Sequence, residues 1–173
     1  EFATRLRNNP WLDEATRNAA LEKLGKIDIQ VGYPKAWVDF STLEIRPDDH
    51  FGNVQRASRF AFQREMAQVD KPVLDNRFAV ATKTTPIAVN SAYNFTTNTI
   101  DITAAILQPP FYKPGADPAT NYCAIGGVIG HEITHGFDSL GRQYDPQGNL
   151  RDWWTPPANA EFKRRTDVLV EQN

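Results

Sequence analysis

The stretch 126–138, Gly-Gly-Val-Ile-Gly-His-Glu-Ile-Thr-His-Gly-Phe-Asp, decides how this chain is interpreted. It places His131, Glu132 and His135 in the order His-Glu-x-x-His, inside a run of small and β-branched residues that predicts a buried helix over 120–138. Four residues make just over one helical turn, so both imidazoles project from one face with Cβ atoms about 5–6 Å apart. Two rings at that spacing can bind one zinc ion at about 2.0–2.1 Å each.

Glu132 is the candidate catalytic base of this motif. It is turned by about 100° from His131 around the helix axis, which places its carboxylate beside the metal rather than on it. Zinc lowers the pKa of a bound water to about 7, and a neighbouring carboxylate can accept the proton. His131 and His135 are the candidate zinc ligands. The alternative is a core helix whose histidines bond to nearby carbonyl groups.

The residues after the motif limit the class of metallopeptidase. A metzincin has glycine three residues and histidine six residues after the second motif histidine, whereas Asp138 and Gly141 stand there. A glutamate-liganded enzyme takes its third ligand from a later helix, yet neither Glu161 nor Glu171 is followed by an aspartate four residues on. The chain therefore shows two of the three protein ligands that a catalytic zinc needs.

Composition and charge exclude several other classes of protein. The chain has 173 residues, of which 40% are hydrophobic, enough for one core or one core plus part of another. A net charge of -2 implies no broad basic surface for nucleic acid. No apolar run is long enough to cross a bilayer, and the single cysteine, Cys123, excludes an intrachain disulfide. Because the chain starts without methionine and stops within a helical pattern, we expect a piece of a longer protein.

Hydrophobic periodicity predicts an α+β, predominantly helical fold. Besides the motif helix, apolar residues at helical spacing predict helices over 10–26, 51–69 and 158–173. Between 78 and 102 the period changes to two, which predicts a β-hairpin whose second strand is Thr-Ile-Asp-Ile-Thr at 99–103. Glycine and proline predict irregular segments over 31–45, 107–118 and 141–157.

Several strings of the sequence resemble the neprilysin family of zinc endopeptidases. They are PWLDEATRNAALEKL and VGYP near the start, VNSAYN and AAILQPPFY in the middle, and GGVIGHEITHGFDSLGRQYDPQGNLRDWWT near the end. The family's catalytic domain is thermolysin-like, and a mostly helical second domain caps its cleft. The resemblance implies that 1–50 is the end of the helical cap domain and a linker. Residues 51–173 would be the incomplete N-terminal part of the catalytic domain, with an edge strand and the zinc-binding helix.

The resemblance also assigns roles outside the motif. Asn90 matches an asparagine that holds the substrate backbone on the edge strand, and Ser91 follows it where the family usually has alanine. Positions that resemble the apolar pocket for the residue after the scissile bond are Ile106, Phe111 and Val128. The third zinc ligand, a glutamate in a Glu-x-x-x-Asp motif, would lie beyond the end of this chain. Independently of the resemblance, Asp138 lies one turn beyond His135 and is a candidate to orient that imidazole, the alternative being an ordinary loop residue.

The resemblance implies a parent zinc endopeptidase that cleaves oligopeptides on the amino side of hydrophobic residues and binds one Zn²⁺ per complete site. We expect the isolated chain to hold zinc weakly or not at all, to be inactive, and to self-associate. The partners implied are peptide substrates, without nucleic acid and without a membrane segment in this chain. The absence of disulfide cysteines resembles the bacterial branch of the family, and the resemblance favours a parent protein that acts outside the cytoplasm. Two alternatives stay open, namely a non-catalytic folding or interaction module and another glutamate-liganded zinc hydrolase.

Overall fold

The computed structural model describes residues 1–34, 37–71 and 85–172, and shows helices around a small sheet within them. The α-helices are α1 Phe2–Arg7, α2 Glu14–Gly25, α3 His50–Met66, α4 Pro118–Cys123, α5 Ile125–His135 and α6 Pro156–Glu171. The strands are β1 Asp28–Gly32, β2 Ser91–Asn94 and β3 Thr99–Thr103. Short 3-10 turns lie at Ala104–Ile106 and Gly141–Gln143. The expected α+β class is confirmed.

The chain divides into two compact units. The first unit consists of Glu1–Tyr33 and Lys83–Asn173 and carries the sheet and the motif helix. The second unit is Pro34–Thr82 and carries α3. The division into a cap segment 1–50 and a catalytic segment 51–173 stays a prediction. Each helix in the described ranges is too short or too polar to cross a lipid bilayer.

Helix α2 confirms the helix expected over 10–26, and its start is tied to the start of α6. The Asp13 side chain caps α2 by accepting a hydrogen bond from Thr16 N at 2.9 Å. The same carboxylate accepts from the hydroxyl of Thr155, the N-cap residue of α6. Below this junction Leu12 packs with Trp154 and other apolar residues of the α6 region. The helix expected from residue 158 is confirmed as α6, beginning at Pro156.

In the second unit, α3 confirms the helix expected over 51–69. The Asp49 side chain caps it by accepting from Gly52 N at 2.9 Å, and Arg56 pairs with Asp49 at 3.1 Å. Phe40, from the segment before the helix, contacts Phe60 with ring centroids 5.5 Å apart. This aromatic contact joins α3 to the irregular segment that precedes it.

The sheet has the order β1-β3-β2. Strands β2 and β3 are antiparallel, with Ser91 opposite Ile102, and Asn98 takes a φ of 52° in the turn between them. The predicted hairpin is thus confirmed, although its part over 78–84 lies outside the described residues. Strand β1 was not expected. It pairs in parallel with β3, which lies about 70 residues later, so only long-range pairing makes this short segment a strand.

The main core lies between the sheet and α5. Ile100 is fully buried and packs with Tyr93, Ile102, Ile106 and Ile125. Every residue of β3 is buried, as expected for the central strand of the sheet. The core therefore fixes the hairpin against the helix that carries the motif.

Two expectations for the motif helix are wrong. The single helix expected over 120–138 is broken at Ala124, whose φ of -85° and ψ of -89° are not helical, so α4 and α5 are separate helices. The helix was also expected to be buried, but Ile125 and Glu132 are its buried residues. Small residues let a helix pack closely, but within the described residues the sheet covers only one face of α5.

Candidate active site

The two motif histidines converge at the C-terminal end of α5. Their Nε2 atoms lie 3.1 Å apart, and their rings meet at 85° with centroids 4.6 Å apart. Two nitrogens bound to one zinc at about 2.0–2.1 Å in tetrahedral geometry lie about 3.3–3.4 Å apart. The helical spacing alone therefore brings His131 and His135 close to the separation that a shared zinc ion requires.

Asp138 contacts the second imidazole, that of His135, at its Nδ1 atom. Its Oδ2 lies 2.7 Å from His135 Nδ1, and its Oδ1 accepts from Gly141 N at 2.7 Å and from Leu140 N at 2.9 Å. Burial acts to raise the pKa of Asp138, but these N–H donors and His135 outweigh it and the pKa is lowered. The carboxylate therefore stays ionised and favours the tautomer with hydrogen on Nδ1, which leaves Nε2 free to bind a metal.

Glu132 is buried beside the histidines, with 6% of its surface exposed. Burial raises the pKa of its carboxyl group, while His135, His131 and the backbone N–H of Tyr93 act in the opposite direction. A raised pKa suits a group that must accept a proton and release it again. Glu132 and Tyr93 of the hairpin line the same cleft.

The hairpin and α5 together form one shallow cleft of about 270 Å³. Its lining residues are Asn90, Ser91, Ala92, Tyr93 and Phe95 from the hairpin region and His131, Glu132 and His135 from α5. Strand β2 is at the edge of the sheet among the described strands. The cleft thus joins the motif to an edge strand, a geometry in which an extended peptide can bind through its main chain.

Buried hydroxyl groups fix the entry to this edge strand. Thr103 Oγ1 lies 2.6 Å from Ala88 O and 2.8 Å from Asn90 O. Ser91 Oγ donates to Asp101 O at 2.9 Å, across the hairpin. Ser91 therefore uses its side chain to hold β2 in the sheet.

The three expected pocket residues lie together, but in the main core. Ile106 is a buried member of the core around Ile100, and Phe111 and Val128 pack against that core as partly buried residues. They are not among the residues that line the 270 Å³ cleft. Their assignment to a pocket for the residue after the scissile bond stays a prediction.

A catalytic zinc site needs three protein ligands, which is more than the described residues bring together. Among residues 1–34, 37–71 and 85–172, no three side chains of His, Cys, Asp or Glu converge as a metal site. The donor pair of His131 and His135 fits zinc, because two imidazole nitrogens at this separation suit a tetrahedral ion. The third ligand is not assigned to any described residue.

Sequence reasoning missed Lys23, which lies close to the loop after the motif. Its side chain is fully buried, although lysine is rarely buried without a partner. Thr16, Ala20 and Lys23 are the buried residues of α2 and follow each other at spacings of four and three. Two of these three residues are polar, so the pattern of apolar residues carried no signal for the burial of Lys23.

Comparison with known proteins connects this geometry to one family. Residues 90–173 match the model of peptidase family M13. The chain is 38% identical to an endothelin-converting enzyme homolog of Locusta migratoria and to endothelin-converting enzyme 1 of Homo sapiens, with 99% of the chain covered in each case. It covers 24% and 23% of these proteins. The chain thus spans about a quarter of the length of the curated relatives it matches.

Solved structures give the same result. The zinc metalloprotease ZMP1 of Mycobacterium tuberculosis in complex with an inhibitor matches with a TM-score of 0.90 and 47% identity, over 99% of this chain and 25% of that chain. PEPO from Lactobacillus rhamnosis matches with a TM-score of 0.84 and 31% identity, over 99% of this chain and 27% of that chain. The expected resemblance is confirmed. The chain belongs to peptidase family M13, the neprilysin family.

Proposed function

We propose that the whole protein containing this chain is a zinc-dependent endopeptidase, and that this chain supplies two zinc ligands, the catalytic base and the edge strand that binds the peptide. The observation that carries the proposal is the 3.1 Å approach of the two motif Nε2 atoms in the cleft that also holds the Glu132 carboxylate. Ligands, base and peptide-binding strand are then within reach of one scissile bond.

His131 and His135 would hold the zinc through Nε2, with the His135 ring oriented by Asp138. A zinc ion bound there supplies Lewis acidity, which polarises the scissile carbonyl and lowers the pKa of water. The resemblance assigns the third ligand to a glutamate outside this chain. We therefore propose that the isolated chain binds zinc weakly and does not hydrolyse peptides.

Glu132 is proposed to move the proton. Its carboxylate accepts a proton from the attacking water and delivers it to the leaving nitrogen, so one group serves as base and then as acid. Burial that raises its pKa supports this role, because the protonated form is then more readily reached near neutral pH.

The edge strand is proposed to bind the substrate. An extended peptide pairs with the main chain of β2, while the Asn90 side chain, at the head of the strand, bonds to the peptide backbone. Main-chain pairing does not depend on the side chains of the substrate, so a preference for particular substrate residues must come from a pocket. By resemblance that pocket involves Ile106, Phe111 and Val128, and it selects a hydrophobic residue on the carboxyl side of the cleaved bond.

Two further properties are proposed for the chain and its parent. The isolated chain self-associates, because apolar side chains of β1 are exposed, with Ile29 at 47% and Val31 at 56%. The resemblance favours an extracytoplasmic location for the whole protein.

The test is a cleavage assay with the full-length protein and a set of peptides that differ only in the residue after the scissile bond. We expect cleavage before phenylalanine and leucine, little before aspartate, loss of turnover on chelation and recovery with added zinc. The 173-residue chain, assayed in parallel, should show no turnover. Hydrolysis that survives chelation would contradict the metal mechanism, and equal cleavage of all peptides would contradict the hydrophobic preference.

A further inference from the structure

Lys23 lies in an unusual environment for a lysine. Its side chain is fully buried on α2, and its Nζ donates to Gly141 O and to Tyr144 O, each at 2.6 Å. The ammonium group also lies 5.7–6.0 Å from the ring centroids of Tyr93, Phe137 and Trp153. Charge-assisted hydrogen bonds and aromatic faces together offset the cost of burying the charge.

The two carbonyls that Lys23 binds are the ends of one short turn. Tyr144 N donates to Gly141 O at 3.1 Å, so the turn is closed by its own backbone, and Lys23 bridges it from outside. This turn follows His135 by a few residues, whereas Lys23 precedes Gly141 by 118 positions. The lysine therefore anchors the loop after the motif to a helix from a distant part of the chain.

A continuous series of contacts leads from this anchor to the imidazole. Lys23 holds Gly141 through its carbonyl, and the N–H of Gly141 donates to Asp138 Oδ1 at 2.7 Å. The other oxygen of Asp138 lies 2.7 Å from His135 Nδ1. A shift of the Gly141 peptide would therefore move the carboxylate that sets the orientation and tautomer of the ring.

The main chain of Lys23 also connects to the hairpin side of the cleft. Asn98 Nδ2 donates to Lys23 O at 3.1 Å, and Asn98 Oδ1 accepts from the Tyr93 hydroxyl at 2.6 Å. Tyr93 in turn lines the same cleft as Glu132. Both sides of the cleft are thus linked to one position on α2.

We propose that Lys23 is a positioning residue of the active site, which fixes the Asp138–His135 pair through the Gly141 peptide; this inference rests on the function proposed for the motif. Lys23 does not touch the metal or the substrate. It acts through Asp138, and its loss frees the His135 ring to change tautomer and orientation.

The test uses nitrogen NMR of the histidine rings in the metal-free chain at pH 7.5, above the ordinary histidine pKa of about 6.5. In the unmodified chain His135 should be held with hydrogen on Nδ1. In Lys23→Met we expect a mixture of tautomers at His135 and unchanged signals from His50, which lies in the other compact unit. Lys26→Met removes an exposed lysine that pairs with Glu22 and should leave His135 unaltered.

The same variants in the full-length protein give a second readout. Lys23→Met should raise the zinc dissociation constant about 10-fold or more, because zinc affinity falls when the groups that orient a metal ligand are disturbed. Lys23→Gln, which keeps an N–H donor, should recover part of this loss. A folded Lys23→Met chain with the His135 tautomer unmoved would overturn the proposal. So would failure of both Lys23 variants to fold while Lys26→Met folds, since Lys23 would then be required for the fold rather than for the site.

These outcomes separate this inference from the proposed function. A shifted His135 tautomer in a protein without peptidase activity would support the positioning role and contradict the endopeptidase. An active endopeptidase whose His135 tautomer does not respond to Lys23→Met would support the proposed function and contradict the positioning role of Lys23.

Discussion

Asp138 makes one short contact with His135 and favours the tautomer that carries hydrogen on Nδ1. It lies 2.7 Å from Nδ1 and is itself held by two backbone N–H groups of the following loop. We expect Asp138→Ala in the full-length protein to weaken zinc binding about 10- to 100-fold, because the ring loses its orienting partner. Competition with a zinc chelator measures the affinity. Asp167→Ala, which removes an exposed carboxylate of α6 paired with Lys163, is the control, and equal affinity in both variants would refute the role of Asp138.

The buried charge of Lys23 makes stability depend on pH. Burial lowers the pKa of Lys23 from 10.5 to about 8, while Asp145 and Asp138 act in the opposite direction. Below pH 8 both the folded and the unfolded chain carry the proton, so the effect is constant. Between about pH 8 and 10.5 the unfolded chain binds more protons, and the stability of the folded state rises with pH.

Urea unfolding of the chain and of Lys23→Met tests this dependence. From pH 7.5 to pH 10, the free energy of unfolding of the unmodified chain should rise relative to the variant, by on the order of 1–3 kcal/mol. Lys26→Met should follow the unmodified chain. A difference between the chain and Lys23→Met that does not change with pH would mean that Lys23 titrates at its ordinary pKa in the folded state.

At the scale of elements, the sequence predicts what local periodicity controls. The spacing of His131 and His135 on one helix predicts their convergence, and alternation predicts the hairpin of β2 and β3. The break at Ala124 carries no such signal, because alanine favours a helix. Strand β1 and the partners of Lys23 depend on contacts with residues far away in the sequence.

The loop after α5 leaves no space for a side chain at Gly141. A Cβ there would lie 1.7 Å from His135 O, so Gly141→Ala must displace either the end of α5 or the loop. We expect a loss of about 1–3 kcal/mol in the free energy of unfolding by urea. Gly127→Ala is the matched control, because nothing lies within 4 Å of its added Cβ and alanine favours a helix. Equal stability of the two variants would contradict the close packing described here.

The edge strand and the motif helix should contribute differently to catalysis. On the proposed function, Asn90→Ala removes one hydrogen bond to the substrate, which is worth on the order of 1 kcal/mol, or about 5-fold in kcat/KM. Zinc content should not change, because Asn90 is not a proposed ligand. Steady-state kinetics on several peptides in the full-length protein measures the effect. Unchanged kcat/KM across all of them would remove Asn90 from the substrate site.

At the scale of the whole molecule, the chain is about a quarter of the length of the curated relatives it matches. The described residues bring together two imidazoles, a buried carboxylate and an edge strand. The number of ligands was foreseeable from the sequence, since the motif supplies two and no later Glu-x-x-x-Asp follows. The apolar pocket stays a prediction, because Ile106 is part of the main core and Phe111 and Val128 pack against it.

The most direct test of the account measures zinc content and peptide hydrolysis together in one variant of the full-length protein, Glu132→Gln. The substitution removes the proposed base and leaves both imidazole ligands in place. We predict one zinc per chain, as in the unmodified protein, with turnover reduced about 10²–10⁴-fold, whereas His135→Ala should lose the metal as well. Zinc-replete Glu132→Gln protein that retains substantial turnover, or Glu132→Gln protein that has lost its zinc, would contradict the assignment of this motif as ligands and base.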